Sequence, residues 1–383
     1  MTDARESFLN DLARGLTERE NNNLLRRPAS IDGIDFHSND YLGLARDAAV
    51  AAQSVKDTQE MGAGGARLLA GHRRETQVLE NRFARHVGRQ ASLLFSSGFS
   101  ANVGVIPALV GEGDAIFSDA LNHASLIDGM RLSKADVHVF PHRDIDALRG
   151  LLRQAPGNRR MIVTESLFSM DGHRASLSKL AALADDEGAL LLVDEAHATG
   201  IFGHQGAGLV AAAGLQGSVL LTLHTGGKAM GSAGALVAAD QVVIDHLTNH
   251  CRSFIYSTAP QPVLVQSLSA ALDILQNEPN RQLQLTEAIV HLSNGLAELG
   301  FSAHDDDSPI LPLIVGTPDR AIAISVALIE AGFAARAVRP PTVEVNSARL
   351  RITAHADVGL TERSAFLESL QRILKRNPCT ASS

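Results

Sequence analysis

Lys228 is the residue of this chain best placed to do covalent chemistry. It follows the apolar run SVLLTL and stands in TGGKAMG between Gly227 and Ala229, small neighbours that leave room around the amine for a bulky adduct. Such an amine can form a Schiff base with an aldehyde, although a lysine in a Gly-rich loop is otherwise an ordinary solvated side chain. Thr225, three residues earlier, adds a hydroxyl beside backbone N–H groups, a combination that can hold a phosphate. Together the two outline a phosphorylated aldehyde cofactor. Asp194 and His197 stand in LLLVDEAHATG, where a buried strand ends and an acid can face a ligand. The letters DEAH also occur in nucleotide-driven motors, which need an upstream GxxxxGK(S/T) phosphate loop. The similar stretch HTGGKAMG lies downstream, with Ala229 at the metal-binding hydroxyl position and Thr222 at the first glycine, so the motor reading fails.

Further candidates lie upstream. SSGFSAN follows the run ASLLF, so a tight turn after Ser97 can aim the N–H groups of Gly98 and Phe99 at an anion. His123, in LNHASL, can stack on a planar ligand or cap a helix. The two tyrosines, Tyr41 in SNDYLGL and Tyr256 in FIYSTAP, both fall in polar segments.

The elements that must position these residues follow from hydrophobic periodicity. Phe8, Leu9, Leu12 and Leu16 recur at helical spacing, which predicts an amphipathic helix over 3–18, followed by an irregular segment from Arg26 to Leu44. Apolar runs at 91, 115, 137, 161, 189, 218 and 234 alternate with helix-like stretches, the rhythm of βα units around a mainly parallel sheet. Several are apolar at every position, as strands covered on both faces must be. After a helical pattern from Gln261 come strands at ILPLIV (310), AARAV (334) and RLRIT (349), then an amphipathic helix from Thr361 to Lys375. The expected organisation is an N-terminal helix and arm (1–45), a large α/β domain (46–275) and a small C-terminal α+β domain (276–383).

Composition excludes several classes. With 34 Lys and Arg against 42 Asp and Glu, and no basic cluster, nothing marks a surface for nucleic acid or an anionic membrane. Cys251 and Cys379 lack metal-ligand spacing, so neither a thiolate metal site nor a disulfide framework is expected. No metal is expected, and a reducing, cytoplasmic compartment is. The opening residues have no apolar core, and no apolar run reaches membrane-spanning length, so a soluble, unprocessed chain is expected.

The motifs SNDYLGL, GAGGARLLAG, SSGFSAN, NHASL, TESLFSMDG, VDEAHATG, TGGKAMG, IYSTAPQP and RPPTVEVNSARLRIT follow one another from about Asn39 to Thr353. In this order they resemble the α-oxoamine synthase family of pyridoxal-phosphate (PLP) enzymes. The resemblance implies the PLP-dependent transferase fold of the aspartate-aminotransferase type, with a large, mainly parallel seven-stranded sheet domain, and a homodimer with shared active sites. It makes Lys228 the cofactor lysine, Asp194 the partner of the ring nitrogen, His197 a contact of the ring hydroxyl and His123 the residue stacked on the ring. Ser169 becomes a nearby polar contact. Gly98, Phe99 and Thr225 go to the phosphate, Ser97 is a further cofactor contact, and Thr258 is the residue supplied from the opposite subunit. Arg351, with Arg349 as fallback, is assigned the amino-acid carboxylate, and Asn39 and Arg26 are further substrate contacts. The expected substrates are an amino acid and an acyl-CoA or acyl-carrier thioester. The ending RPPTV…ARLRIT is most similar to the branch that joins L-alanine to a pimeloyl thioester, with glycine C-acetyltransferases and amino-ketone signal synthases as alternatives. A non-catalytic subunit is a rival from another class, but such relatives typically lack the lysine. Departures from the family pattern are Thr76, in place of a histidine, Gly226, small for its position, and Glu344 with Val345 after RPPTV.

Overall fold

The computed structural model describes residues 2–56, 60–155, 157–301 and 307–377; Cys379 lies outside them. The described residues fall into two compact units, 39–286 and 1–38 with 287–383. The sequence suggests divisions at 45/46 and 275/276 instead.

In chain order the strands are β1 (Ile34–Asp35), β2 (Ala91–Phe95), β3 (Ala115–Asp119), β4 (Asp136–Phe140), β5 (Arg160–Glu165), β6 (Leu190–Asp194), β7 (Leu221–Thr225), β8 (Ala235–Ala239), β9 (Ile310–Gly316), β10 (Phe333–Ala334), β11 (Ala337–Val338) and β12 (Ala348–Thr353). The larger unit is built on a seven-stranded sheet of order β2-β8-β7-β6-β5-β3-β4. Its strands are parallel except β8, which pairs antiparallel with both β2 and β7. β2, β3, β7 and β8 are almost wholly buried along their length. Alternate residues face opposite layers. Ile116, Val163 and Leu192 pack with Val105, Leu126 and Met130 on one side, whereas Phe117, Ile162 and Val193 pack with Leu148, Leu180 and Leu183 on the other. The apolar runs mark this doubly covered sheet, and the expected large, mainly parallel seven-stranded sheet is the one the chain adopts.

In the smaller unit β9 and β12 pair antiparallel, with β11 on the far side of β12. The segment AARAV, expected as one strand, divides. Phe333 and Ala334 form β10, which pairs parallel with β1, whereas Ala337 and Val338 form β11. The β1–β10 pairing draws the N-terminal arm into this unit, and Phe36 stacks on Phe366 with ring centroids 4.1 Å apart. The opening helix Thr2–Asn21 forms as periodicity predicts, with Phe8, Leu9, Leu12 and Leu16 exposed. Among the described residues no helix is long and apolar enough to cross a membrane.

Candidate active site

Open parallel sheets present ligand-binding groups beyond the carboxyl ends of their strands, and the candidate residues of the larger unit collect there. Ser97 follows β2, His123 follows β3, Ser169 follows β5, Asp194 closes β6 and precedes His197, and Thr225 closes β7 ahead of Lys228.

A string of hydrogen bonds runs from Asp194 to His123. The buried Asp194 carboxylate accepts the Ala196 N–H at Oδ1 and the Asn102 amide at Oδ2, each at 2.8 Å. The same Asn102 nitrogen donates to Ser125 Oγ at 3.0 Å, and Ser125 Oγ lies 2.8 Å from His123 Nδ1. His123 is the N-cap of the helix Ala124–Ser133, its Nδ1 accepting the Ser125 N–H at 3.2 Å. An imidazole that accepts at Nδ1 carries its proton at Nε2, so His123 is both helix cap and exposed ring. Desolvation by the surrounding protein and then the Lys228 cation push its pKa down, against the opposing pull of Asp194. His197, also buried, meets the Tyr41 hydroxyl at 2.8 Å through Nδ1, and that hydroxyl donates to Asn39 Oδ1 at 3.1 Å.

A cradle for an anion lies between β2 and β7. Ser97 caps the helix Gly98–Leu109 by accepting the Ser100 N–H, while Ser100 Oγ accepts the Ser97 N–H. In such a helix the N–H groups of Gly98 and Phe99 have no intrahelical acceptor and carry the positive end of the dipole. A Cβ on Gly98 would stand 2.6 Å from Thr225 Cγ2, so the threonine closes over the helix start only because residue 98 has no side chain. Thr225 Oγ1 in turn donates to the Ala196 carbonyl at 3.2 Å, tying the cradle to the Asp194 loop. Phosphate cradle, buried carboxylate, accessible imidazole and lysine are the donor set a PLP-type cofactor needs, and these residues fit it.

Lys228 sits in a turn closed by Gly231 N–H to Lys228 O at 2.8 Å. Gly226 explains one departure: its N–H and carbonyl bond Gly234 and Ser232, and a Cβ there would stand 2.3 Å from the Ala233 carbonyl oxygen. Thr76 is buried in the helix Arg74–His86, and Glu344 lies in an exposed turn closed by Ser347 N–H to Glu344 O.

Thr258 is exposed and bridges antiparallel to Ala66. Ser169 is half-buried in the turn closed by the Leu167–Arg174 bridge. Arg349 and Arg351 lie buried on β12 of the smaller unit, as part of which Arg26 donates to Thr342 Oγ1 at 2.8 Å. Residues that sequence reasoning did not assign to the site are Tyr41, Asn102, Ser125 and Glu165, although each lies in or beside a motif it singled out. A further buried pair joins Arg67, in GAGGARLLAG, to Glu80 of the helix Arg74–His86 at 3.0 Å, and Glu80 also accepts the Leu94 N–H.

Residues 31–370 match the family described as aminotransferase class I and II. An 8-amino-7-oxononanoate synthase of Anaeromyxobacter dehalogenans is 44% identical over 347 residues, covering 90% of this chain and 87% of the relative. Among solved structures, a serine palmitoyltransferase from S. paucimobilis bound to a PLP–myriocin aldimine superposes with a TM-score of 0.87 at 26% identity, over 90% of this chain and 88% of that one. An 8-amino-7-oxononanoate synthase from Francisella tularensis superposes with a TM-score of 0.76 at 28% identity, over 90% and 98%. The chain belongs to the aminotransferase class I and II family, in the α-oxoamine synthase group that its motifs resemble.

Proposed function

We propose that this chain is a PLP-dependent acyltransferase that condenses L-alanine with a pimeloyl thioester, pimeloyl-CoA in the simplest case, to give 8-amino-7-oxononanoate, carbon dioxide and the free thiol, a step of biotin synthesis. The observation that carries the reading is 44% identity across nine-tenths of the chain to relatives of that name, with lysine, carboxylate and two histidines gathered at the strand ends.

PLP supplies an electron sink that makes loss of a proton or of carbon dioxide from the substrate Cα accessible. This chain's residues do the rest. Lys228 would hold the cofactor aldehyde, and its amine, when free, would take the Cα proton. Asp194 would keep a proton on the ring nitrogen by opposite charge, His197 would contact the ring hydroxyl, and His123 would cover the ring. Ser97, Thr225 and the N–H groups of Gly98 and Phe99 take the phosphate, with Ser169 a further polar contact. Arg351 takes the alanine carboxylate by a paired hydrogen bond, with Arg349, Asn39 and Arg26 as additional substrate contacts. We further infer a homodimer in which Thr258 serves the partner's site, and a reducing, cytoplasmic setting in keeping with the buried free thiol of Cys251.

The test is thiol release from alanine, glycine and serine, each paired with acetyl-, pimeloyl- and palmitoyl-CoA. Alanine with pimeloyl-CoA is expected to win, by roughly 10- to 200-fold over glycine, because one methyl group in a fitted pocket contributes ~1–3 kcal/mol. The same assay on Arg351→Ala should show a raised KM for alanine. A preference for glycine with acetyl-CoA, or for serine with palmitoyl-CoA, overturns the substrate assignment while leaving the cofactor chemistry in place.

A further inference from the structure

Glu165 ends β5 directly beside Asp194 at the end of β6, and the two are register partners in the parallel ladder. Register partners on neighbouring strands point to the same face, about 5 Å apart. Their surroundings differ. Asp194 receives an N–H at each carboxylate oxygen, from Ala196 and Asn102. Glu165 is buried and leaves Oε1 with no hydrogen-bond partner. Two carboxylates this close cannot both ionise cheaply, and the proton goes to the one whose charge is less well solvated. By donor count that is Glu165.

We propose that Glu165 remains a neutral carboxylic acid beside Asp194, leaving the negative charge of the pair on Asp194. The inference rests on the proposed cofactor site for its purpose, since a second charge beside Asp194 would compete for the proton that Asp194 must hold on the ring nitrogen. Burial first, then Asp194, with a smaller contribution from Asp119, push the Glu165 pKa up to about 8; the Lys228 cation and the His123 N–H pull it the other way. Glu195, next in sequence to Asp194, is also buried, with its pKa pushed up to about 7 by desolvation, so any measurement must separate the two.

The sign of the linkage follows. A glutamate whose folded pKa is raised binds a proton in the folded state that the unfolded chain has released, so the folded state loses stability as pH rises from the unfolded pKa, about 4.5, to about 8. Glu165→Gln keeps the shape of the side chain but has no proton to lose. Its melting temperature should therefore gain on that of the parent as pH rises from ~5 to ~9.

The direct measurement is carbon-13 NMR of the whole protein labelled at the glutamate carboxyl carbons. The expected result is a resonance of a protonated carboxyl at neutral pH that titrates near about 8 and is missing from Glu165→Gln, with a separate one for Glu195. The proposal is overturned if the Glu165 resonance is that of a carboxylate at neutral pH, or if the melting-temperature gap is flat or shrinks with rising pH. The labelled parent alone suffices should the variant fail to fold. Neither readout needs substrate, so a neutral Glu165 in a protein that makes no aminoketone would refute the reaction and leave this inference intact.

Discussion

Lys228→Ala is expected to yield a folded protein that shows no cofactor absorbance responsive to added amine and has lost turnover by roughly 10²- to 10⁴-fold or more, the usual weight of a positioned acid–base group. Folding should survive. The Lys228 carbonyl still accepts the Gly231 N–H, the side chain is only half-buried, and the tight contacts of the turn belong to Gly226 and Gly231. The electrostatic consequences are local: without the cation, the pKa of His123 is released upward and that of Glu165 rises further. Absorbance titration with PLP followed by thiol release checks both parts. Parental turnover in the variant would remove Lys228 from the mechanism. The same variant tests the shared site. Refolded with chains carrying Thr258→Arg, it should regain about a quarter of parental activity on random mixing, because half the dimers are hybrids with one site free of both lesions. Absence of recovery in verified heterodimers would count against Thr258 crossing the interface.

What the sequence makes legible here is whatever rests on local pattern. The mainly apolar runs ending at Phe95, Asp194 and Thr225 announce buried strands, and their carboxyl ends announce where polar groups can meet a ligand. Lys228 is legible from its small neighbours. The partners that hold these groups are not, because they depend on register. Nothing around Asn102, inside a helix after β2, tells that its amide reaches the carboxylate at the end of β6, ninety-two positions away. Tyr41 and His197 are separated still further in sequence. Glu165 is read only as part of a motif until β5 and β6 are set side by side with Glu165 opposite Asp194. The pairing of the N-terminal arm with the C-terminal residues is illegible for a similar reason: two short strands, β1 and β10, make it, and two-residue strands leave no periodicity to read.

Asp194→Asn tests the residue on which most of this network converges. The carboxylate accepts hydrogen bonds at both oxygens, from Ala196 N–H and Asn102 Nδ2. An amide has one acceptor and one donor end, so if its oxygen keeps the Ala196 N–H, its NH₂ faces the NH₂ of Asn102. Asn102 must then flip its own amide, presenting an oxygen to Ser125 Oγ, and the Ser125 hydroxyl must turn its proton away from His123 Nδ1 to meet it. The single substitution thus removes a charge and reverses a chain of donors that ends at the histidine. The charge is the larger loss. An opposite charge at close range raises the proton affinity of its partner by about 1–3 pKa units, and each unit is tenfold in the protonated fraction. Turnover should therefore fall roughly 10- to 10³-fold, while the phosphate cradle of Ser97, Gly98 and Thr225, which the substitution does not touch, keeps the cofactor bound. The expected signature is retained PLP with a depressed kcat, and the measurement is cofactor content beside thiol release. Loss of cofactor together with activity would make Asp194 a binding residue first, and near-parental kcat would place the proton-holding charge on another group.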